Sequence, residues 1–445
     1  MTSTKSGDDF RIIIVGGGIA GLATAIALRA PKRHITVLER SRMLRETGAL
    51  ISLQPNASKI MTKWGLDPLL QRVAEPQADR AFRMFNTEGT LVREIPLSKG
   101  MFGADRMMYH RQDLHAALRQ AATTTGDGWE EQPAAVIRTA ADVEDCDPAE
   151  GTVTLKDGEV LRSDLIIGAD GIKSVIRNIV VGEEKMAQPT GLSAYRMLIP
   201  ASKLPLEKIP DGILRMQDPA ATTMLVGQDK RVIMGPGRAG KLLGIVALVP
   251  DEATEEASDD SWTRPGSKQE LLAAFADFPP WLRAIFSQAE EDEIGLWQLR
   301  DIDPLSRWTK GRVVLIGDAA HAMLPTQGQG ASQAIEDAEA LQAFLSGIEG
   351  SSVSKDEVEK ALEKVFEARY ERASLIQAYS REQARPGTAG REVTLDPGEF
   401  MRFNCEYQGA VEWLERQSKK NQGAPDLEGS SLVDEIEKLK LVDPC

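Results

Sequence analysis

"RIIIVGGGIAGLATAIALRAPKRHITVLER", residues 11–40, decides the fold. Residues 11–15 are a short apolar run that suits a buried parallel strand. Gly16, Gly18 and Gly21 follow at G-x-G-x-x-G spacing, "LATAIALRA" reads as a helix, and "HITVLER" reads as a second strand that brings in Glu39. Strand, glycine turn, helix and strand make a dinucleotide-binding unit. Gly16 permits the tight turn, Gly18 lets a pyrophosphate approach the backbone, and Gly21 lets the helix pack close to the strand. The helix N-terminus offers free N–H groups and partial positive charge to phosphates. Glu39 lies 18 residues past Gly21, a spacing that suits an acid on ribose hydroxyls. An acid there favours a free 2′-hydroxyl, as in NAD or FAD, and this motif alone does not choose between them.

The bulk of the chain narrows the classes. Its 445 residues are 42% hydrophobic and 27% charged, a soluble globular composition with room for two or three domains. The formal net charge of -14 argues against a nucleic-acid binder. There is no apolar run of about 18 residues, so no membrane span is expected, and the N-terminus lacks an apolar signal core. Cys146, Cys405 and Cys445 are far apart and odd in number, with no C-x-x-C pair. That points away from disulfides and structural zinc, and toward a reducing, cytoplasmic setting. The four histidines form no metal-binding pattern, so no metal is expected.

Two further segments look built for the same ligand. "SDLIIGADGIKSVIR" (163–177) reads as an apolar strand, an Asp170-Gly171 turn and a helix start. This strand is expected to return to the first sheet, with its end facing the cofactor crevice. "GRVVLIGDAAHAMLPTQGQGASQAIEDAEALQAFL" (311–345) carries a strand that leads to Asp318, then Gly328 and Gly330, then a helix from about Ser332 to Leu345. Asp318 thus sits at a strand's C-terminal end, where ligands of α/β sheets bind. The glycines let a flat ring touch the backbone, and the helix start carries about half a positive charge.

These three motifs, in order, resemble the single-component FAD-dependent aromatic hydroxylases, the flavin monooxygenases that include salicylate hydroxylase and para-hydroxybenzoate hydroxylase. The likeness is closest to the fungal salicylate-hydroxylase-like enzymes of catabolism and secondary metabolism, and covers roughly residues 10–380. The resemblance implies that the first motif with Glu39 holds the ADP half of FAD. It implies that the segment of Asp170 serves FAD and NAD(P)H, that Asp318 meets the ribityl chain, and that Gly330 and Ala331 lie beside the isoalloxazine. "MYHRQDLHAAL" implies Arg111 as an FAD contact, and "ETGALISLQPNASKIM" places Gly48 and Ala49 near the flavin.

The expected fold is α/β: an FAD-binding Rossmann-like domain with an inserted β-sheet substrate domain and C-terminal helices. The expected bounds are 1–187 and 312–385 for the FAD-binding parts, 188–311 for the substrate domain and 386–445 for a helical tail. Short strands such as "GLSAYRMLIP" and "RVIMGPGR" fill the inserted domain. The resemblance puts Tyr195 and Arg196 on a strand that faces the flavin, as the catalytic candidates. Gln228 and Arg215 are weaker ones. "DEATEEASDD" (251–260) reads as a solvated loop, His321 as a structural hydrogen-bonding residue, and 355–382 as a long amphipathic helix.

The implied activity is an FAD monooxygenase that uses NADPH or NADH and O2 to hydroxylate an electron-rich aromatic, such as a phenol, a salicylate-like acid or an indole. The route is a flavin C4a-hydroperoxide. No second G-x-G-x-x-G occurs, so NAD(P)H is expected to bind without its own Rossmann domain. A monomer or homodimer is expected, with no nucleic-acid or membrane partner. The alternatives are another flavin oxidoreductase (an epoxidase, reductase or halogenase) or a non-catalytic binding protein on the same fold. The halogenases' Gly-x-Trp-x-Trp element is missing here, and a protein that cannot hold FAD would favour the last reading.

Overall fold

The computed structural model describes residues 9–42, 49–125, 132–251, 262–384 and 397–421. The chain opens with strand β1 (Phe10–Val15), helix α1 (Ile19–Ala27) and strand β2 (Arg33–Glu39). Strand β3 (Leu50–Leu53) follows, then β4 (Ala81–Phe85) and β5 (Leu91–Pro96). Strand β6 (Arg106–His110) pairs antiparallel with β3 and runs straight into helix α2 (Arg111–Thr123). Strands β7 (Val136–Thr139) and β8 (Leu165–Gly168) come next, then helix α3 (Val175–Val181).

The middle of the chain supplies strands β9 (Gln188–Pro200), β10 (Thr222–Val226), β11 (Arg231–Gly237), β12 (Leu242–Pro250) and β13 (Thr263–Pro265). Helices α4 (Lys268–Ala274) and α5 (Pro280–Phe286) and strand β14 (Gly295–Asp301) complete it. Strands β15 (Thr309–Lys310) and β16 (Val313–Leu315) lead to the short helix α6 (Asp318–His321). Helices α7 (Gly330–Phe344), α8 (Lys355–Ala384), α9 (Pro397–Cys405) and α10 (Ala410–Asn421) close the described chain.

Two large sheets result. The first has the order β15-β16-β8-β1-β2-β7. Its strands β16, β8, β1, β2 and β7 are parallel. They are apolar because both faces are covered, by α1, α2 and α7 on one side and by α3 with the hairpin strands Val143–Asp147 and Thr152–Leu155 on the other. The second sheet has the order β13-β14-β9-β12-β11-β10-β4-β5 and is mostly antiparallel. One face packs on α4 and α5 through Phe275, Phe278, Leu282 and Phe286. The other face looks toward the first sheet's domain.

The substrate-domain boundary at 188 needs revision. Strands β4 and β5, residues 81–96, pair onto the far edge of this second sheet. They cover the edge of β10, which would otherwise present unpaired backbone groups.

Candidate functional site

The site begins where three parallel strands end at one level. Val15 of β1 is in register with Gly168 of β8, and Gly168 with Leu315 of β16. Gly16, Ala169 and Ile316–Gly317 therefore leave the sheet side by side, and so the three sequence motifs converge at the strands' C-terminal edge. At positions 16 and 21 only glycine fits. Gly16 has φ +108°, and a Cβ on it would lie 2.2 Å from the Ala169 oxygen. A Cβ on Gly21 would lie 1.9 Å from the Gly16 oxygen. Gly18 differs: a Cβ there meets nothing within 4 Å, so its open side is the approach to the N-terminus of α1.

The peptide of Gly17 is held at both ends. Its N–H donates to Glu39 Oε2 at 2.8 Å, and its carbonyl meets His115 Nε2 of α2 at 2.7 Å. Burial lowers the His115 pKa, which favours a neutral ring whose Nε2–H donates to that carbonyl. Glu39 Oε1 accepts from Ser41 N at 2.8 Å. Each carboxylate oxygen keeps a second lone pair for a ribose hydroxyl. His115 is a site residue that sequence reasoning missed; its signal was its place four residues after Arg111 on one helix.

Asp318 opens α6. Its side chain is exposed to open space, yet it lies so deep that desolvation raises its pKa against the pull of His321, Arg111 and Arg177. An acid with both properties lines a cleft inside the protein. A Cβ on Gly330 would lie 3.9 Å from Asp318 Oδ1, so the start of α7 stands beside this carboxylate, with Ala331 in the same first turn. Arg111 acts electrostatically on both Asp318 and Arg196. Its own N–H donates to the Ala49 carbonyl at 2.9 Å, which fixes the entry to β3. Gly48 lies outside the described residues.

Asp170 follows the end of β8, in the segment expected to serve FAD and NAD(P)H. Its carboxylate turns onto α3, accepting from Ser174 Oγ (2.5 Å), Val175 N (2.8 Å) and Ile176 N (3.2 Å). It caps that helix, and what its segment presents to the glycine turn is the Ala169 carbonyl. Arg177 of α3, 2% exposed, donates to the carbonyls of Ile172, Lys185, Asp318 and Ala319. It ties the second motif to the third.

Beneath the third motif lies a buried charge network absent from the sequence reading. Asp337 accepts from Gly317 N (2.8 Å), His321 Nε2 (2.7 Å) and Arg369 Nε (2.9 Å). Glu336 accepts from Arg369, Arg372 and Asn56 at 2.5–2.9 Å. Arg369, Arg372, Glu336 and Asp337 have fully buried side chains. Burial alone would raise the Asp337 pKa, but His321 and Arg369 outweigh it and hold the group at about 2. Two arginines balance two carboxylates, as a buried cluster requires. The network fixes the Gly317 amide and so aims Asp318. His321 is structural here, as its sequence context suggested.

The second sheet supplies the other wall, and here one expectation fails. Side chains alternate along β9, so Tyr195 and Arg196 point to opposite faces. Tyr195 is 5% exposed and packs in the core under α4 and α5, away from the cleft. Arg196 is on the cleft side, its guanidinium 5.0 Å over the Trp297 ring. Its Nε is buried without a hydrogen-bond partner among the described residues. Burial lowers its pKa, as does Arg111. Arg215 pairs with Glu94 at 3.3 Å, and Gln228 is exposed in the turn after β10. Of the acidic run 251–260 only Asp251 is described; it accepts from Ser193 and Gln298 at 2.8 and 2.6 Å.

This donor and acceptor set fits FAD. The open glycine turn suits a pyrophosphate, the anchored Glu39 a ribose, the desolvated Asp318 a ribityl hydroxyl, and the Gly330 helix start a flat ring that gains negative charge. The comparisons agree. A family model described as "FAD binding domain" matches residues 9–355. The FAD-dependent monooxygenase cfoG of Aspergillus candidus is 33% identical over 84% of this chain and 86% of its own length. The salicylate hydroxylase of Pseudomonas putida is 33% identical over 86% of each. A solved salicylate hydroxylase substrate complex superposes with a TM-score of 0.70 at 27% identity, covering 99% of this chain and 100% of its own. Three strand ends meeting around a cleft, with relatives of this kind along most of the chain, place it in the FAD-binding-domain family, as an FAD-dependent monooxygenase of the aromatic-hydroxylase type.

Proposed function

We propose that the substrate is a small, electron-rich aromatic with an anionic or hydrogen-bond-accepting group, and that this group docks on Arg196. The observation that carries the reading is the Arg196 guanidinium. It is half-buried, stacked on Trp297, and its Nε lacks a partner among the described residues. A desolvated arginine without a counter-charge recruits an anion. Relatives named as a salicylate hydroxylase and a monooxygenase support the aromatic class.

Bound FAD would supply the redox chemistry: the two electrons of NADH or NADPH go to O2, one of whose oxygen atoms passes to the substrate while the other leaves as water. The chain's own residues do the rest. Glu39, Asp318 and the glycine turn would hold the cofactor in place, with Arg111 beside Asp318. A guanidinium next to a phenol favours the phenolate, whose ring is the better nucleophile toward an electrophilic oxygen. The apolar side chains around Arg196 exclude water from the reacting carbon.

The setting we assign is the cytoplasm, as a monomer or homodimer. Cys146 and Cys405 are free and buried, and among the described residues no helix is long and apolar enough to cross a membrane.

The test is NAD(P)H oxidation by FAD-loaded protein across phenols, salicylates and indoles, for wild type and Arg196→Gln. Losing a charge-assisted hydrogen bond costs about 1.5–3 kcal/mol, so KM for acidic aromatics should rise tenfold or more while flavin content holds. Turnover by the variant at wild-type KM and rate would remove Arg196 from the pocket.

A further inference from the structure

The second sheet's register sets five side chains in one row on its cleft face. Arg196 of β9 faces Val246 of β12, Val246 faces Ile233 of β11, Ile233 faces Met224 of β10, and Met224 is in register with Met84 of β4. Residues in register share a face. All five are half-buried. Their neighbours on the opposite face, Ile245, Val232, Leu225 and Phe85, are only 0–3% exposed. The row is therefore open where the opposite face of the sheet is sealed.

The rows on either side are covered where they cross β12 and β11. Two residues along one way lie Gly244 and Gly235. A Cβ on Gly244 would lie 2.4 Å from Leu50, and one on Gly235 would lie 3.2 Å from Met108, so β3 and β6 press onto the sheet there. Two residues along the other way lie Ala194 and Leu248, 0% and 4% exposed under Leu324. Arg231 in that row donates to the Gln383 carbonyl at the end of α8. The open row is a trough with two walls. Strand β3 also joins it to the flavin segment, because a Cβ on Gly328 would lie 3.0 Å from Ser52.

One end of the trough is shut. A Cβ on Gly295 would lie 2.1 Å from the Trp297 ring, so this glycine lets the indole lie across β14 beside Arg196. From Arg196 the floor crosses four inter-strand gaps to Met84, about 19 Å at the usual strand spacing. Beyond Arg196 the floor carries only aliphatic and thioether side chains. Methionine adapts to irregular apolar and aromatic surfaces.

We propose that the substrate is an elongated aromatic that lies across the strands. Its acidic or hydrogen-bond-accepting group sits at Arg196, and a second ring or apolar tail lies over Ile233, Met224 and Met84. This rests on the docking role given to Arg196 under the proposed function, and it goes beyond that reading by excluding a single-ring acid as the best ligand.

Ligand binding to the FAD-loaded enzyme, read from the flavin absorbance spectrum, tests it with two probes: salicylate and 4-phenylsalicylate. The longer probe should bind about tenfold tighter or better, from the apolar area its second ring buries. Ile233→Trp fills the trough midway and should shrink that preference about tenfold; Met224→Trp, one strand further along, does the same if the first variant fails to hold FAD. Salicylate binding as tightly as 4-phenylsalicylate would overturn the inference and leave the Arg196 reading standing, and so would a preference that survives both tryptophans. Failure of either probe to perturb the flavin would overturn both.

Discussion

Asp318→Ala separates cofactor binding from fold stability. Desolvation raises the Asp318 pKa, so at neutral pH the ionised group works against the folded apoprotein. A raised acid destabilises the fold above its unfolded pKa, and that penalty fades as pH falls below it. The side chain faces open space, so its truncation leaves no packed cavity. The variant apoprotein should therefore melt at or above the wild-type temperature at pH 7, with the gain shrinking in acid. FAD binding should move the other way. Hydrogen bonds to a charged acceptor are worth about 1.5–3 kcal/mol, so Kd for FAD should rise about 10- to 150-fold. Flavin fluorescence quenching on titration of apoprotein reads the affinity, and tryptophan fluorescence on heating reads the stability. Wild-type FAD affinity, or an apoprotein that melts well below wild type, would refute the reasoning.

Two more predictions follow from the packing. Gly18→Ala should fold normally, since its Cβ meets nothing within 4 Å and φ is -74°, yet it should lose most FAD because that methyl stands in the pyrophosphate's approach; absorbance at the flavin band of the purified protein checks it. Arg369→Met leaves Glu336 and Asp337 under-compensated and should cost about 3–5 kcal/mol in urea unfolding. In wild type, Asp337 is held at about 2 against 3.8 in the unfolded chain, so its contribution is full above about 4 and is lost as pH falls toward 2; acid titration of far-ultraviolet circular dichroism should show this loss in wild type and a weaker one in the variant.

Much of the site was legible because its chemistry is written in local patterns. The glycine spacing, Glu39 and the Asp318–Gly330 stretch are read from neighbours in sequence, and the structure brings Gly16, Ala169 and Gly317 together because their parallel strands end in register. What was hidden depends on long-range pairing. Adjacent strand residues cannot share a face, so Tyr195 had to part from Arg196; which of the two met the cleft was set by where α4 and α5 pack. Glu336, Asp337, Arg369 and Arg372 resembled ordinary helix-surface charges. They are buried because α7 and α8 pack together and neutralise one another's charge. A Glu-Asp pair within the small-residue helix "ASQAIEDAEAL", facing arginines at i and i+3 of the next helix, was the available signal. Strands β4 and β5 joined the second sheet across more than 120 residues of chain, a pairing no local pattern encodes.

The central claim is that this chain transfers one atom of molecular oxygen to an aromatic ring. Turnover of the FAD-loaded enzyme with NADH or NADPH under 18O2, with product mass recorded for each aromatic that stimulates NAD(P)H oxidation, tests it directly. One 18O atom per product molecule is expected. A product oxygen drawn from water, or an enzyme that holds FAD and oxidises NAD(P)H without labelling any aromatic, would contradict it.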